Sequence, residues 1–149
     1  MSPAAAPDPE LRRIGQQCLA RKIRQASRGL SALYDAALRG HGLKVSQMNV
    51  LVAVGALGAP GPAALVKALD LEKSTVSRNV ERLVASGWLE AVNEDEGRKV
   101  CYRLTRTGRG VLERALPDWE DAQAEARRRL GSAGLAALTA LAGALGPRS

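Results

Sequence analysis

Residues 71–89 read LEKSTVSRNVERLVASGWL, and this stretch decides the fold. Val76, Val80, Leu83 and Val84 recur at i, i+4, i+7 and i+8, the spacing that lines one side of an α-helix. Gly87 stands where helices commonly close. A helix over residues 73–86 is expected. Its other positions are unusual, because Ser74, Thr75, Ser77, Arg78, Asn79 and Arg82 crowd them. Ser, Thr and Asn are indifferent helix formers, since their side chains compete for nearby backbone groups. A face that needed only solubility would more often carry Glu, Lys and Ala. The composition implies a face made to touch something.

Working outward, the period changes after Gly87. Trp88–Val92 reads as extended, Asn93–Gly97 as a turn cluster, and Arg98–Thr105 alternates with the β-prone Val100, Tyr102 and Leu104. These predict a two-stranded hairpin with a charged tip. Upstream, Asp70-Leu71-Glu72 turns the chain, Pro62 opens a short helix running to Leu69, and GAPGP (58–62) is another turn. Before it, Met48, Leu51, Val52 and Val54 mark a helix from Ser46 to Leu57. Helix, short helix, helix and hairpin in this order are the plan of a winged helix-turn-helix.

Long helices are expected on both flanks. Asp8-Pro9-Glu10 is a strong helix start, with a capping residue, a proline at the first position and an acid in the first turn. No breaker follows until Gly40-His41-Gly42, and Leu19, Ile23, Ala26, Leu30, Leu33 and Ala37 form a near coiled-coil seam. One long helix is therefore predicted there. Thr105 caps a later helix carrying Val111, Leu112, Ala115, Trp119, Ala122, Ala126 and Leu130, which Pro117 should kink or split. Ser132 caps a last helix with Leu135, Leu138, Leu141 and Leu145. The fold class is mainly α with a small β-hairpin wing (α+β). Residues 1–8 read as a disordered tail and 9–149 as one domain, in which 45–105 form the winged-helix lobe. The apolar faces of 9–42 and 106–146 exceed what that small lobe can cover, which marks a dimer interface.

The chain has 149 residues and a formal net charge of +7, which favours an anionic partner. There are two Trp, two Tyr and no Phe, too few rings to stack single-stranded nucleic acid. No apolar run reaches the roughly 18 residues of a membrane span, and the N-terminus lacks the pattern of a signal peptide. Cys18 and Cys101 do not make a disulfide framework, so a cytoplasmic location is expected. A single histidine, His41, leaves no triad, and the few cysteines leave no metal cluster. No catalytic residue, metal or cofactor is expected.

A major groove about 12 Å wide admits one α-helix. Within it Arg forks onto guanine and Asn onto adenine, so Arg78 and Asn79 are the expected base contacts. Lys73, Thr75 and Arg82 suit phosphates, which set affinity and register. Ser74 and Ser77 are short enough to let the helix approach and can reach phosphate oxygens or base edges. At the hairpin tip, Arg98 and Lys99 are placed for a minor groove or a phosphate. The alternative is a polar face turned only to solvent, or a winged helix that binds protein.

GLKVSQMNVL (42–51), LVKALDLEKSTVSRNVERLVASGWL (65–89) and the LTRTG run (104–108) together resemble the MarR family of bacterial transcription regulators. The resemblance covers about residues 18–145. It implies a homodimer whose first and last helices intertwine, with one winged helix per subunit on a pseudo-palindromic double-stranded operator. It implies a repressor that lets go when a small phenolic or anionic effector enters a cleft beside the DNA-binding lobe; Arg21, Arg24, Arg28 and His41 are candidates for holding such a molecule. The family's wing carries Asp-x-Arg, and here Glu96-Gly97-Arg98 takes that place. Some members sense peroxides through a cysteine in the first helix. Cys18 falls two residues before that position, with Arg21 and Lys22 one turn on, a neighbourhood that favours a thiolate. The alternative for Cys18 is a small apolar residue at an interface.

Overall fold

The computed structural model describes residues 7–94 and 99–146, so most of the N-terminal tail (1–6) and the wing tip around Arg98 lie outside the described residues. Two units are distinguished, one ending at Ala32 and the other beginning at Leu33. The helices are α1 (Pro9–Gln17), α2 (Leu19–Leu38), α3 (Val45–Leu57), α4 (Pro62–Leu69), α5 (Lys73–Ala85) and α6 (Arg106–Leu145), with strands β1 (Leu89–Glu94) and β2 (Lys99–Leu104).

In the first unit the Asp8 side chain caps α1, accepting from the amides of Glu10 at 2.8 Å and Leu11 at 3.3 Å. The single long helix expected from the sequence is in fact two. Cys18 adopts an extended conformation (ψ 109) between them. The break changes the hydrogen bonding of the last turn: the Gly15 carbonyl, which a continuous helix would give to the amide four residues on, accepts from the Arg21 guanidinium at 3.0 Å. Leu11, Ile14, Leu19 and Ile23 are all exposed on this unit.

The second unit has one core. Leu38, Leu43, Met48, Val50, Leu51, Val54, Leu65, Val76, Val80, Leu83, Leu89, Val111 and Ala115 are buried together. Each buried Leu or Val contributes about 1.5–3 kcal/mol relative to exposure. Chain reversals sit where the sequence places them. Asp70 takes the left-handed conformation (φ 50) between α4 and α5, which a short polar side chain tolerates. At the end of α5, the Trp88 amide donates to the Leu83 carbonyl and the Gly87 amide to that of Val84, both at 2.9 Å, the paired bonds of a Schellman closure.

Strands β1 and β2 pair antiparallel, Leu89 opposite Leu104 and Glu94 opposite Lys99. The Tyr102 amide donates to the Pro60 carbonyl at 3.0 Å, tying the α3–α4 loop along β2. The Thr105 hydroxyl donates to the Gly87 carbonyl at 2.7 Å and accepts from the Gly108 amide at 3.0 Å, so one side chain closes the hairpin and caps α6. Gly108 lies against the Trp88 carbonyl so closely that a Cβ would stand 2.1 Å from its oxygen. These two contacts account for the LTRTG run.

α6 runs through Pro117 without the split expected there. Val111 and Ala115 before it and Ala122 and Ala126 after it are all buried, and that packing outweighs the roughly 3 kcal/mol cost of a proline inside a helix. The interruption falls at Gly131 (φ 63, ψ 179), a conformation only glycine adopts freely, and the final segment starts beyond it at the predicted Ser132.

Candidate nucleic-acid interface

Helix α5 is anchored by Val76, Val80 and Leu83, which are buried. That leaves Lys73, Ser74, Ser77, Arg78, Glu81 and Arg82 exposed, with Thr75 half-buried. Positions 74, 77, 78, 81 and 82 follow i, i+3, i+4, i+7 and i+8 and form one continuous stripe. The side chains of Lys73, Arg78 and Arg82 make no ion pair or hydrogen bond among the described residues, so their donors are available to an external acceptor. The Ser77 hydroxyl donates to the Glu81 carboxylate at 2.9 Å.

Asn79 departs from its expected place on the outer face. It is only 7% exposed and lies on the anchoring side of α5, three residues from Val76 and four from Leu83. A side chain buried there lies off the exposed stripe, which disfavours the base contact expected of Asn79. Glu81 is the exposed group that the sequence reading passed over. Its signal was the i, i+3, i+4 spacing from Ser77 and Arg78, hidden because an acid on a cation-rich face reads as solvation.

Lys99, at the start of β2, is exposed, and a shallow hollow beside the α3–α4 loop is lined by Pro60, Gly61, Lys99 and Val100. Arg98 lies outside the described residues.

Of the residues considered for an effector, Arg21, Arg24 and Arg28 are exposed on the first unit, with Arg21 already bonded to the Gly15 carbonyl. His41 belongs to the second unit, and its Nε2 stands 2.6 Å from Asp118 Oδ2 on α6. This bond gives His41 a structural partner. A cavity of about 420 Å³ in the same unit is lined by Asp35, Arg39, Gly42, Leu43, Lys44 and Gln47, and His41 is not among them. Asp35 is committed to the Val45 amide at 2.8 Å, which leaves Arg39 and Lys44 as the cavity's cations. Close by in the chain, the Tyr34 hydroxyl bonds Gln123, and the Tyr34 ring lies 6.4 Å from that of Trp119. Burial pushes the Tyr34 phenol above its usual range, partly offset by the Arg127 charge.

Cys18 is exposed at the α1–α2 break, and Cys101 is buried in β2. Among the described residues, no three His, Cys, Asp or Glu side chains gather as a metal site. No single described helix is long and apolar enough to cross a membrane.

This arrangement has counterparts. The MarR family model matches residues 41–99. The multiple antibiotic resistance protein MarR of Salmonella typhimurium is 29% identical over 72 residues, which are 48% of this chain and 50% of that protein; the chain thus spans about half the length of the curated relatives it matches. Among solved structures, a MarR mutant from E. coli complexed with operator DNA aligns with a TM-score of 0.78 at 23% identity, covering 90% of this chain and 98% of that one. BpsR of Bordetella bronchiseptica, whose DNA binding is regulated by 6-hydroxynicotinic acid, aligns at 0.77 and 25% identity, over 89% and 96%. The M. tuberculosis transcriptional regulator MosR aligns at 0.71 and 29%, over 87% and 98%.

The helix order, the hairpin and the exposed stripe of α5 define a winged helix-turn-helix protein. The matched segment and the shared fold add the finer grouping. Residues 41–99 carry a MarR-family segment, and the fold is one shared with MarR-family transcriptional regulators.

Proposed function

We propose that this chain binds double-stranded DNA in a sequence-specific way, as a homodimer on a pseudo-palindromic operator, and represses transcription until a small anionic effector releases it. The observation that carries this reading is the stripe of α5. Arg78 and Arg82 are exposed and uncommitted on a helix whose opposite side is fixed by Val76, Val80 and Leu83. Fixed cations and short hydroxyls on a groove-sized helix suit a duplex. A two-fold pair would set these helices about 34 Å apart, one DNA turn.

The dimer reading is supported by Leu138, Leu141 and Leu145, which are exposed on the segment after Gly131 in a stretch with no charged residue. The effector reading is supported by the cavity that holds Arg39 and Lys44. An effector that prefers the form whose recognition helices are out of step with adjacent grooves weakens DNA binding by its differential affinity.

The test is the salt dependence of binding to a labelled duplex from the neighbouring promoter. A dimer that neutralises about six to ten phosphates should show a log–log slope of about −5 to −9. A flat response would instead indicate a winged helix used for protein contact.

A further inference from the structure

We propose that Glu81 is a specificity-determining residue, whose carboxylate, held over Ser77, accepts a hydrogen bond from the exocyclic amine of a cytosine in the operator's major groove. This rests on the DNA-binding reading above and names one base that it reads.

Glu81 stands three residues after Arg78 and next to Arg82, yet it forms an ion pair with neither. It therefore does not serve to aim or neutralise an arginine. Its hydrogen bond goes to the Ser77 hydroxyl at 2.9 Å. A helical side chain leans toward the N-terminus of its helix, and this bond holds the carboxylate in that direction. It is thus carried toward the N-terminal half of α5, where helix-turn-helix recognition helices meet base edges. One carboxylate oxygen of this exposed side chain is engaged with Ser77, and the other has no partner among the described residues.

An ionised carboxylate only accepts hydrogen bonds. Against DNA nearly everything it meets is also an acceptor: phosphate oxygens, guanine N7 and O6, adenine N7, thymine O4. The major groove offers it two donors, the N4 amine of cytosine and the N6 amine of adenine. Adenine presents its N7 acceptor beside that amine, which repels a second oxygen of the carboxylate, whereas cytosine has no acceptor on its own edge. On a surface that must approach a polyanion, an acid without a cationic partner is unfavourable everywhere except opposite such an amine. Placed at 81, it rewards cytosine and penalises guanine and thymine at the position it faces.

In vitro selection from a pool of random duplexes tests this with the full-length chain, Glu81→Ala and Glu81→Gln. The parent is expected to enrich a cytosine at one position of each half-site. Glu81→Ala should lose that preference by about tenfold while the other positions keep theirs. Glu81→Gln should shift the same position toward adenine, because an amide supplies both the donor and the acceptor that the adenine edge matches. If Glu81→Ala enriches the same bases at every position, or merely tightens binding to all duplexes alike, the assignment is wrong. If the parent itself enriches no sequence, the sequence-specific reading fails, and that outcome is read from the parent without reference to either variant.

Discussion

Arg78 and Asn79 are neighbours in the chain, yet on α5 one is exposed and the other buried. A step of about 100° per residue separates them, and Val76 and Leu83 fix which of the two turns inward. Polarity alone put both on the outer face, and angle corrects one. The distinction has a measurable form. Arg78→Ala should cost about 1–3 kcal/mol of specific binding and relax discrimination at one operator position. Lys73→Ala should weaken all sequences alike and flatten the salt slope by about one unit. Binding titrations on matched and single-mismatch duplexes at several salt concentrations separate the two. If both variants bind as the parent does, the recognition face is misplaced. Most of the outer face was legible in the sequence, since Lys73, Ser74, Ser77, Arg78 and Arg82 are exposed where the helical period puts them. The partners of individual groups were not. The i, i+4 spacing lets Ser77 meet Glu81 without requiring it, and nothing in the residue order shows that His41 meets Asp118, a contact between residues 77 apart.

Elements with a clean period came through nearly to the residue. The short helix opened by Pro62, the closure at Gly87, the hairpin and the Thr105 cap are all where local chemistry puts them. Helix breaks were less readable. The seam from Leu19 onward continues past Cys18 in spacing, and no proline or glycine stands at that position, so the extended Cys18 has no local signature. Pro117 carries a strong local signature that packing overrides, while Gly131, an unremarked glycine, takes the interruption. Gly108 shows the same lesson in reverse, a small residue whose need is visible only once the Trp88 carbonyl is beside it. Gly108→Ala should destabilise the fold by about 1–3 kcal/mol or more, because the new methyl group meets backbone rather than a movable side chain. A lowered denaturant midpoint with an unchanged slope is the expected result. A midpoint equal to the parent's would mean that α6 can shift away from the hairpin at no cost.

At the scale of the whole molecule, the account is that two copies of a basic chain each place one α5 in a groove of the same duplex. On the proposed reading, the charge of +7 per chain would draw such a pair to DNA, and the uncharged run after Gly131 would give one copy a reason to hold another. Neither property alone specifies where the two helices land. Hydroxyl-radical footprinting of the protein on its selected duplex does so most directly. The account predicts two protected patches related by two-fold symmetry, their centres about 10 base pairs apart along the duplex. A single patch, or uniform protection without a centre of symmetry, would contradict it.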